Sequence, residues 1–349
     1  MQAETDLLTK HDIKSLLPDE LAAALAEMGE PRYRAKQVFR WLHRGVRSFE
    51  EMTDQPKALR AALEERFFIT APTVLRKQVS REDGTVKYLW GLRDGNSVES
   101  VVMRYHYGNT VCVSSQVGCR MGCAFCASTI GGRVRDLAPS EILDQVMFSS
   151  LDAGLPISNI VLMGIGEPLD NFDNVLRFLQ LVNKSEGLNI GMRHVTLSTC
   201  GLTEKVDKLS GYHLQLTLTV SLHAPDDETR SRLMPINQKY GVDTVIDACK
   251  HYFDVTGRRI SFEYAMVDGV NDTPRHAQLL AQKLAGMGAH VNLIPLNDVA
   301  ESPLRPSRPE TIRAFIDVLE RNGVTVTVRR RLGSDIDASC GQLRRKTLS

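Results

Sequence analysis

No stretch of the 349 residues approaches the ~18 consecutive apolar positions of a membrane-spanning helix. Met1 to Lys10 has acids and no apolar core, so no secretory signal is expected there and the chain is expected in the cytoplasm. Low-complexity tracts and repeats at solenoid periods are missing, which excludes disordered, fibrous and repeat architectures. Cysteines are few: seven, an odd number, in a chain without an export signal. A disulfide framework is therefore not expected, whereas reduced, metal-bound or catalytic thiols are. What is present is ordinary for a globular protein, 42% hydrophobic and 24% charged residues, enough to bury a sizeable core.

Net charge is also nearly absent, +1, but it is unevenly spread. Residues 1–30 carry seven acids against Lys10 and Lys14. Residues 31–47 carry Arg32, Arg34, Lys36, Arg40, Arg44 and Arg47 and no acid, with Tyr33, Phe39 and Trp41 among them. A second basic cluster, Arg329, Arg330, Arg331, Arg344, Arg345 and Lys346, lies near the end of the chain, interrupted by Asp335 and Asp337. Such clusters suit a phosphate-backbone partner, and each alone is equally a solvated helix face.

From Asp12 to about Phe68 the apolar spacing is helical, punctuated by Pro18, Gly29-Glu30-Pro31 and Gly45. This predicts a helical N-terminal domain over residues 1–75. Thr85–Leu92 and Asn96–Tyr105 flank Arg93-Asp94-Gly95, a hairpin turn, so residues 76–108 are expected as a β-hairpin connector. Over 109–349, β-branched runs at 111–115, 157–163, 194–199, 214–223, 259–267, 290–296 and 324–328 alternate with helical stretches at 139–151, 174–182, 242–252, 274–284 and 309–321. This alternation predicts an α/β fold: a parallel sheet coated by helices, a complete or partial (β/α) barrel with its site at the strand C-terminal ends.

The most distinctive feature is Cys119-Arg120-Met121-Gly122-Cys123-Ala124-Phe125-Cys126, a C-x3-C-x2-C run directly after the first barrel strand. Structural zinc wants four ligands, and no fourth Cys or His is close in sequence. Three thiolates can instead hold a [4Fe–4S] cluster and leave one iron open to a ligand bearing an amine and a carboxylate.

C-x3-C-x2-C with an aromatic residue before the last cysteine resembles the signature of the radical S-adenosylmethionine (SAM) superfamily. Residues 111–119 (VCVSSQVGC), 163–168 (MGIGEP), 221–225 (SLHAP) and 335–343 (DIDASCGQL) resemble the RlmN/Cfr family of RNA adenine methyltransferases. The resemblance covers nearly the whole chain and is to the branch that methylates adenine C2 rather than C8. It implies one [4Fe–4S] cluster on Cys119, Cys123 and Cys126 and two SAM molecules per turnover, as methyl donor and radical source. It implies SAM contacts at Gly166, Glu167, Ser198, Ser221, Leu222, His223 and Asn297. A strand-end serine is otherwise a ready helix N-cap, and a lone histidine a core residue.

C2 of adenine is electron-poor and a poor nucleophile, so direct polar methylation is disfavoured and a radical route is required. By resemblance Cys340 carries the methyl group as S-methylcysteine. Cys112 is the resolving thiol that frees the RNA through a transient Cys112–Cys340 disulfide, and Glu99 is a proton acceptor. Cys200 follows a strand end near the expected site, whereas Cys249 lies inside a helix and is expected in the core. The implied partners are 23S rRNA at the peptidyl-transferase centre, tRNA next to the anticodon, and a flavodoxin-type electron donor, with the enzyme a monomer away from membranes. Other readings are a C8-specific antibiotic-resistance methyltransferase, a radical SAM enzyme acting on a small molecule, and a zinc-dependent RNA-binding module.

Overall fold

In the computed structural model, residues 10–296 and 304–336 are described. The N-terminal segment begins with a short strand β1 (His11–Asp12) and three helices, α1 (Pro18–Glu27), α2 (Tyr33–Leu42) and α3 (Lys57–Arg66), and returns through β2 (Phe67–Phe68), parallel to β1. Helix α2 buries Ala35, Val38, Phe39 and Leu42 and turns Lys36 and Arg40 outward, so the basic cluster of residues 31–47 coats a helix whose apolar stripe is satisfied.

Three strands follow, β3 (Thr73–Val79), β4 (Val86–Gly91) and β5 (Ser97–Tyr105), paired antiparallel. The chain then runs through β6 (Gly108–Cys112), a small hairpin of β7 (Gln116–Gly118) and β8 (Arg133–Asp136), and a βα series: α4 (Pro139–Ala153), β9 (Ile157–Leu162), α5 (Phe172–Val182), β10 (Val195–Thr199), α6 (Thr203–Ser210), β11 (Thr217–Ser221), α7 (Asp227–Leu233), α8 (Val242–Thr256), β12 (Ser261–Met266), α9 (Pro274–Leu284), β13 (His290–Pro295), α10 (Pro309–Arg321) and β14 (Thr325–Val328).

All but the short β1–β2 and β7–β8 pairs join one ten-stranded sheet of order β14-β13-β12-β11-β10-β9-β6-β5-β4-β3. The run from β6 to β14 is parallel, and β5, β4 and β3 extend it antiparallel. Among the described residues β14 and β3 do not pair, so the barrel is partial. Residues 76–108 extend the main sheet, which widens the expected hairpin into part of the barrel wall.

The parallel strands bury one face under helices and turn the other inward with period two. In β11, Leu218 and Val220 are buried while Thr217 and Thr219 face a cavity. The same alternation aims Thr110 and Cys112 of β6, Thr196 of β10, Ser261 and Glu263 of β12, and His290, Asn292 and Ile294 of β13 into it. This inner surface mixes polar and apolar side chains around an open space rather than a packed core.

The open side is spanned by hydrogen bonds. Gly333 donates to Asp83 over 2.7 Å and Arg81 to Asp335 over 2.8 Å, joining the segment after β14 to the β3–β4 turn. The N-terminal helices dock on α4 and α5 through the buried Lys14–Asp144 ion pair, a Ser140–Asp12 hydrogen bond and an Arg177–Glu20 ion pair. No helix among the described residues is long and apolar enough to cross a membrane.

Candidate functional site

The three motif cysteines lie on the loop between β7 and β8, at the C-terminal ends of the parallel strands. The loop's stem closes because Gly118 has φ +77°, and a Cβ there would come within 1.9 Å of the Gly132 carbonyl oxygen. The Cys119 amide donates to that oxygen over 3.1 Å. Ala124 donates to the Leu233 carbonyl over 2.9 Å, pinning the loop to the end of α7. The Phe125 ring stands edge-on to His223.

Cys119, Cys123 and Cys126 line one cavity of about 280 Å³ together with Gly166, Glu167, Ser198, Cys200, Ser221 and His223. The geometry therefore brings five of the seven sequence-predicted SAM positions, and Cys200 with them, to the three cysteines. Gly166 has φ +106°, and a Cβ there would lie 2.6 Å from the Cβ of Gln116, so only glycine lets this turn pack on the strand leading to the cysteine loop. Glu167 is buried, and its carboxylate accepts from the amides of Leu169 (3.0 Å) and Cys200 (2.8 Å). Burial raises its pKa, against the pull of those bonds. It is an acid that a bound cation would hold ionised.

His223 is buried with φ +58° and accepts the Ala265 amide on Nδ1 over 2.9 Å. Burial, aided by the charges of Arg230 and Arg329, brings its pKa down to about 3, so it is neutral and carries its proton on Nε2. Leu222 does not line the cavity: its side chain is in the core, and its carbonyl accepts from Arg230 Nε over 3.0 Å. Cys249 is buried in the core as expected. Cys200 is buried at the cavity, its carbonyl accepting from Arg230 over 2.7 Å.

Arg230 was not singled out from sequence. It is wholly buried and also donates to Asn237 Oδ1 (2.9 Å) and to the carbonyls of Tyr240 (2.9 Å) and Ser221 (3.3 Å). It ties together the ends of β10 and β11 and the turn before α8.

A larger cavity, about 730 Å³, fills the barrel interior and includes Cys112, Glu263 and Arg329–Ser334 in its lining. It shares Met163, Glu263, Ile294 and Arg329 with the cysteine-loop cavity, so the two adjoin at these residues. Glu263 at this junction, a second residue missed from sequence, accepts on Oε2 from Asn292 (3.0 Å) and Arg329 (3.1 Å). Burial raises its pKa, opposed chiefly by Arg329. Its only sequence signal is an acid at an inward-facing strand position.

Glu99 lines neither cavity. It is buried on β5, one inward position beyond Val101, which faces Cys112 in register, and it forms a 2.8 Å ion pair with buried Lys87. Cys340 and Asn297 lie outside the described residues, and six of the seven cysteines are free thiols among those described.

The donor set fits an iron–sulfur cluster. Burial, reinforced by Cys126, pushes the Cys119 thiol up to about 12, and burial and its cysteine neighbours raise Cys123 as well. Neighbouring thiols of this kind become stable thiolates when a metal supplies positive charge. Among the described residues no three His, Cys, Asp or Glu side chains converge as on one metal ion. A four-iron cluster takes each thiolate on a different iron, and all three cysteines line the one cavity.

Comparison with known proteins gives a consistent result. The model of the radical SAM superfamily matches residues 113–280, and that of the ribosomal RNA large subunit methyltransferase N-terminal domain matches residues 12–69. The chain is 50% identical over 336 residues to a probable dual-specificity RNA methyltransferase RlmN of Lachnospira eligens, covering 96% of each chain. It is 51% identical to the protein so named from Desulforamulus reducens, covering 97% of each. A radical SAM methyltransferase from Sphaerobacter thermophilus, 42% identical, has a crystal structure that aligns with a TM-score of 0.90 over 95% of this chain and 98% of that one.

Proposed function

Because the chain belongs to the radical SAM superfamily and, within it, to the dual-specificity RNA methyltransferase RlmN family, we propose that it methylates C2 of adenosine in 23S rRNA and in tRNA. The superfamily's [4Fe–4S] cluster and SAM supply, when bound, the one-electron chemistry that makes a carbon radical from SAM. Cys119, Cys123 and Cys126 hold the cluster. Glu167 receives the ammonium of SAM, while Gly166, Ser198, Ser221 and His223 border it and Asn297 completes the set. Leu222 contributes through its backbone alone.

The Cys340 thiolate would attack the methyl carbon of one SAM and release S-adenosylhomocysteine. A hydrogen atom of that methyl would then pass to the radical drawn from the second SAM, giving 5′-deoxyadenosine. The carbon would bond to adenine C2, the adduct losing one electron to the oxidised cluster and its C2 proton to a base. Glu99, kept beside the Lys87 ammonium, accepts the proton. The Cys112 thiolate then attacks the Cys340 sulfur, the electron pair of the sulfur–carbon bond goes to the carbon, which takes a proton to become the product methyl group, and the Cys112–Cys340 disulfide forms. Two SAM molecules are used per turnover, and a flavodoxin-type donor supplies electrons to a monomeric cytoplasmic enzyme.

The observation that supports this best is the shared cavity. Cys112 and Arg329–Ser334 with Ile336 line the same space, which adjoins the cavity of the cysteine loop. Cys340 follows Ile336 by four residues, a reach of up to about 14 Å. Mass analysis of the purified protein tests it: Cys340 should carry about +14 Da, the mass of an added methylene. Cys112→Ala should accumulate protein joined to RNA. Product 8-methyladenosine, or normal turnover by Cys112→Ala, would overturn the C2 assignment or the resolving role respectively.

A further inference from the structure

The large cavity has two ends. At the C-terminal ends of the strands it meets the cysteine loop. At the N-terminal ends it is bordered by Thr110, Asn159, Arg193, His194, Thr217, Ser261 and His290. The interior leads from this mouth toward the cofactor end, and the mouth has the chemistry to receive a base.

The β5–β6 turn, residues 105–108, stands at that mouth. Tyr107 is 62% exposed there, yet its ring is not loose. It stacks on Tyr105, with centroids 4.9 Å apart and planes 7° from parallel, and His106 meets its edge. A single exposed tyrosine is unremarkable. One backed by a second ring is a pre-ordered platform with a face open to solvent.

Cations flank it. The charge of Arg330 acts on both phenols, and Arg193 lies on the rim formed by the start of β10. Arg329 is committed to Glu263 and Arg331 to the Leu296 carbonyl. Arg330 and Arg193 have no hydrogen bond or ion pair among the described residues. The neighbouring acids are engaged: Asp83 by Gly333, Glu82 by Ser334 and Asp335 by Arg81. Open guanidinium groups beside an open aromatic face match a nucleotide chain, with phosphates for the arginines and a base for the ring.

We infer that this N-terminal mouth is a single-stranded RNA-binding surface, in which Tyr107, backed by Tyr105, stacks a base next to the one admitted to the cavity, and Arg330 and Arg193 hold the flanking phosphates. The inference rests on the proposed RNA methyltransferase reading and adds the route and the residues.

The test uses the full-chain, cluster-loaded enzyme and a fluorescently labelled ribosomal RNA fragment containing the target adenosine. Tyr107→Ala should weaken binding about 5- to 100-fold, and Tyr107→Trp should restore it. Arg330→Gln and Arg193→Gln should each flatten the dependence of log affinity on log salt by about 0.7, one phosphate contact on a single strand. These side chains are at the surface, and matched iron content per chain confirms folding of each variant. If the wild type methylates the fragment while Tyr107→Ala binds it as tightly as wild type, or both arginine variants keep the wild-type slope, the mouth assignment is wrong and the methyltransferase reading stands. If the wild type neither binds nor methylates the fragment, the reading itself fails.

Discussion

The Phe125 ring meets the His223 imidazole edge-on, with centroids 4.7 Å apart and planes inclined by 74°. This contact joins the cysteine loop to the end of β11, two parts of the site that are about a hundred residues apart in the chain. Edge-to-face pairs contribute about 0.5–1.5 kcal/mol beyond burial. Phe125→Ala should therefore keep all three iron ligands and full iron content while weakening SAM binding about 2- to 10-fold. Equilibrium binding of SAM to anaerobically reconstituted protein measures it. Unchanged affinity would mean that the contact does not position His223.

Gly118 and Gly132 make a matched pair for testing the loop stem. Both have positive φ, +77° and +69°, so an alanine at either is strained by about 1 kcal/mol. Only at Gly118 does the new Cβ also meet backbone, the Gly132 oxygen at 1.9 Å, whereas at Gly132 nothing lies within 4 Å. Gly118→Ala should lose iron on reconstitution and Gly132→Ala should retain it, read by iron and sulfide analysis. Equal loading of the two would show that the stem does not position the cysteines.

Arg230 donates to the carbonyls of Cys200, Ser221, Leu222 and Tyr240, and no neutral side chain can replace that fan of bonds. Arg230→Met should lower unfolding stability by at least ~3 kcal/mol, because it leaves several buried acceptors without donors. Arg230→Lys should recover only part, since one ammonium cannot span the same oxygens. Chemical denaturation of the three proteins at one pH decides it: a methionine variant as stable as wild type would mean that the strand ends are held by other means.

The difference between what the sequence disclosed and what needed the structure follows from locality. The spacing of Cys119, Cys123 and Cys126 is a local pattern, and the alternation of Thr217, Leu218, Thr219 and Val220 is legible as a strand. Which face of that strand is buried under helices and which borders a cavity depends on neighbours far along the chain. Helix α7 is seven residues long, DETRSRL, too short to display a period, so Arg230 reads as one more surface charge. Its acceptors arrive from β10, β11 and the segment before α8. Strand β3, TVLRKQV, is an edge strand with exposed Arg76, and its polarity hid it. Glu99 reads as a surface residue on a hairpin until pairing with β4 buries it beside Lys87.

His43 offers a test of how the N-terminal helices dock. It stacks on Phe39 with centroids 4.1 Å apart, lies against Gly187, and neither ring nitrogen has a hydrogen-bond partner among the described residues. Burial, helped by the Lys14 charge, brings its pKa down to about 3, against about 6.5 in an unfolded chain. The unfolded state therefore binds the extra proton between these values. The neutral histidine's contribution is full above pH 6.5 and is lost as pH falls toward 3, amounting to about 2 kcal/mol by pH 5. His223, shifted in the same direction by its own burial, adds a similar acid limb. His43→Leu should be no less stable than wild type at pH 7.5, because it removes two unpaired nitrogens. Between pH 7.5 and 5 it should lose about 2 kcal/mol less than wild type, measured by parallel denaturant titrations. The same pH-dependent loss in both proteins would place His43 in contact with water and the helical segment undocked from α4.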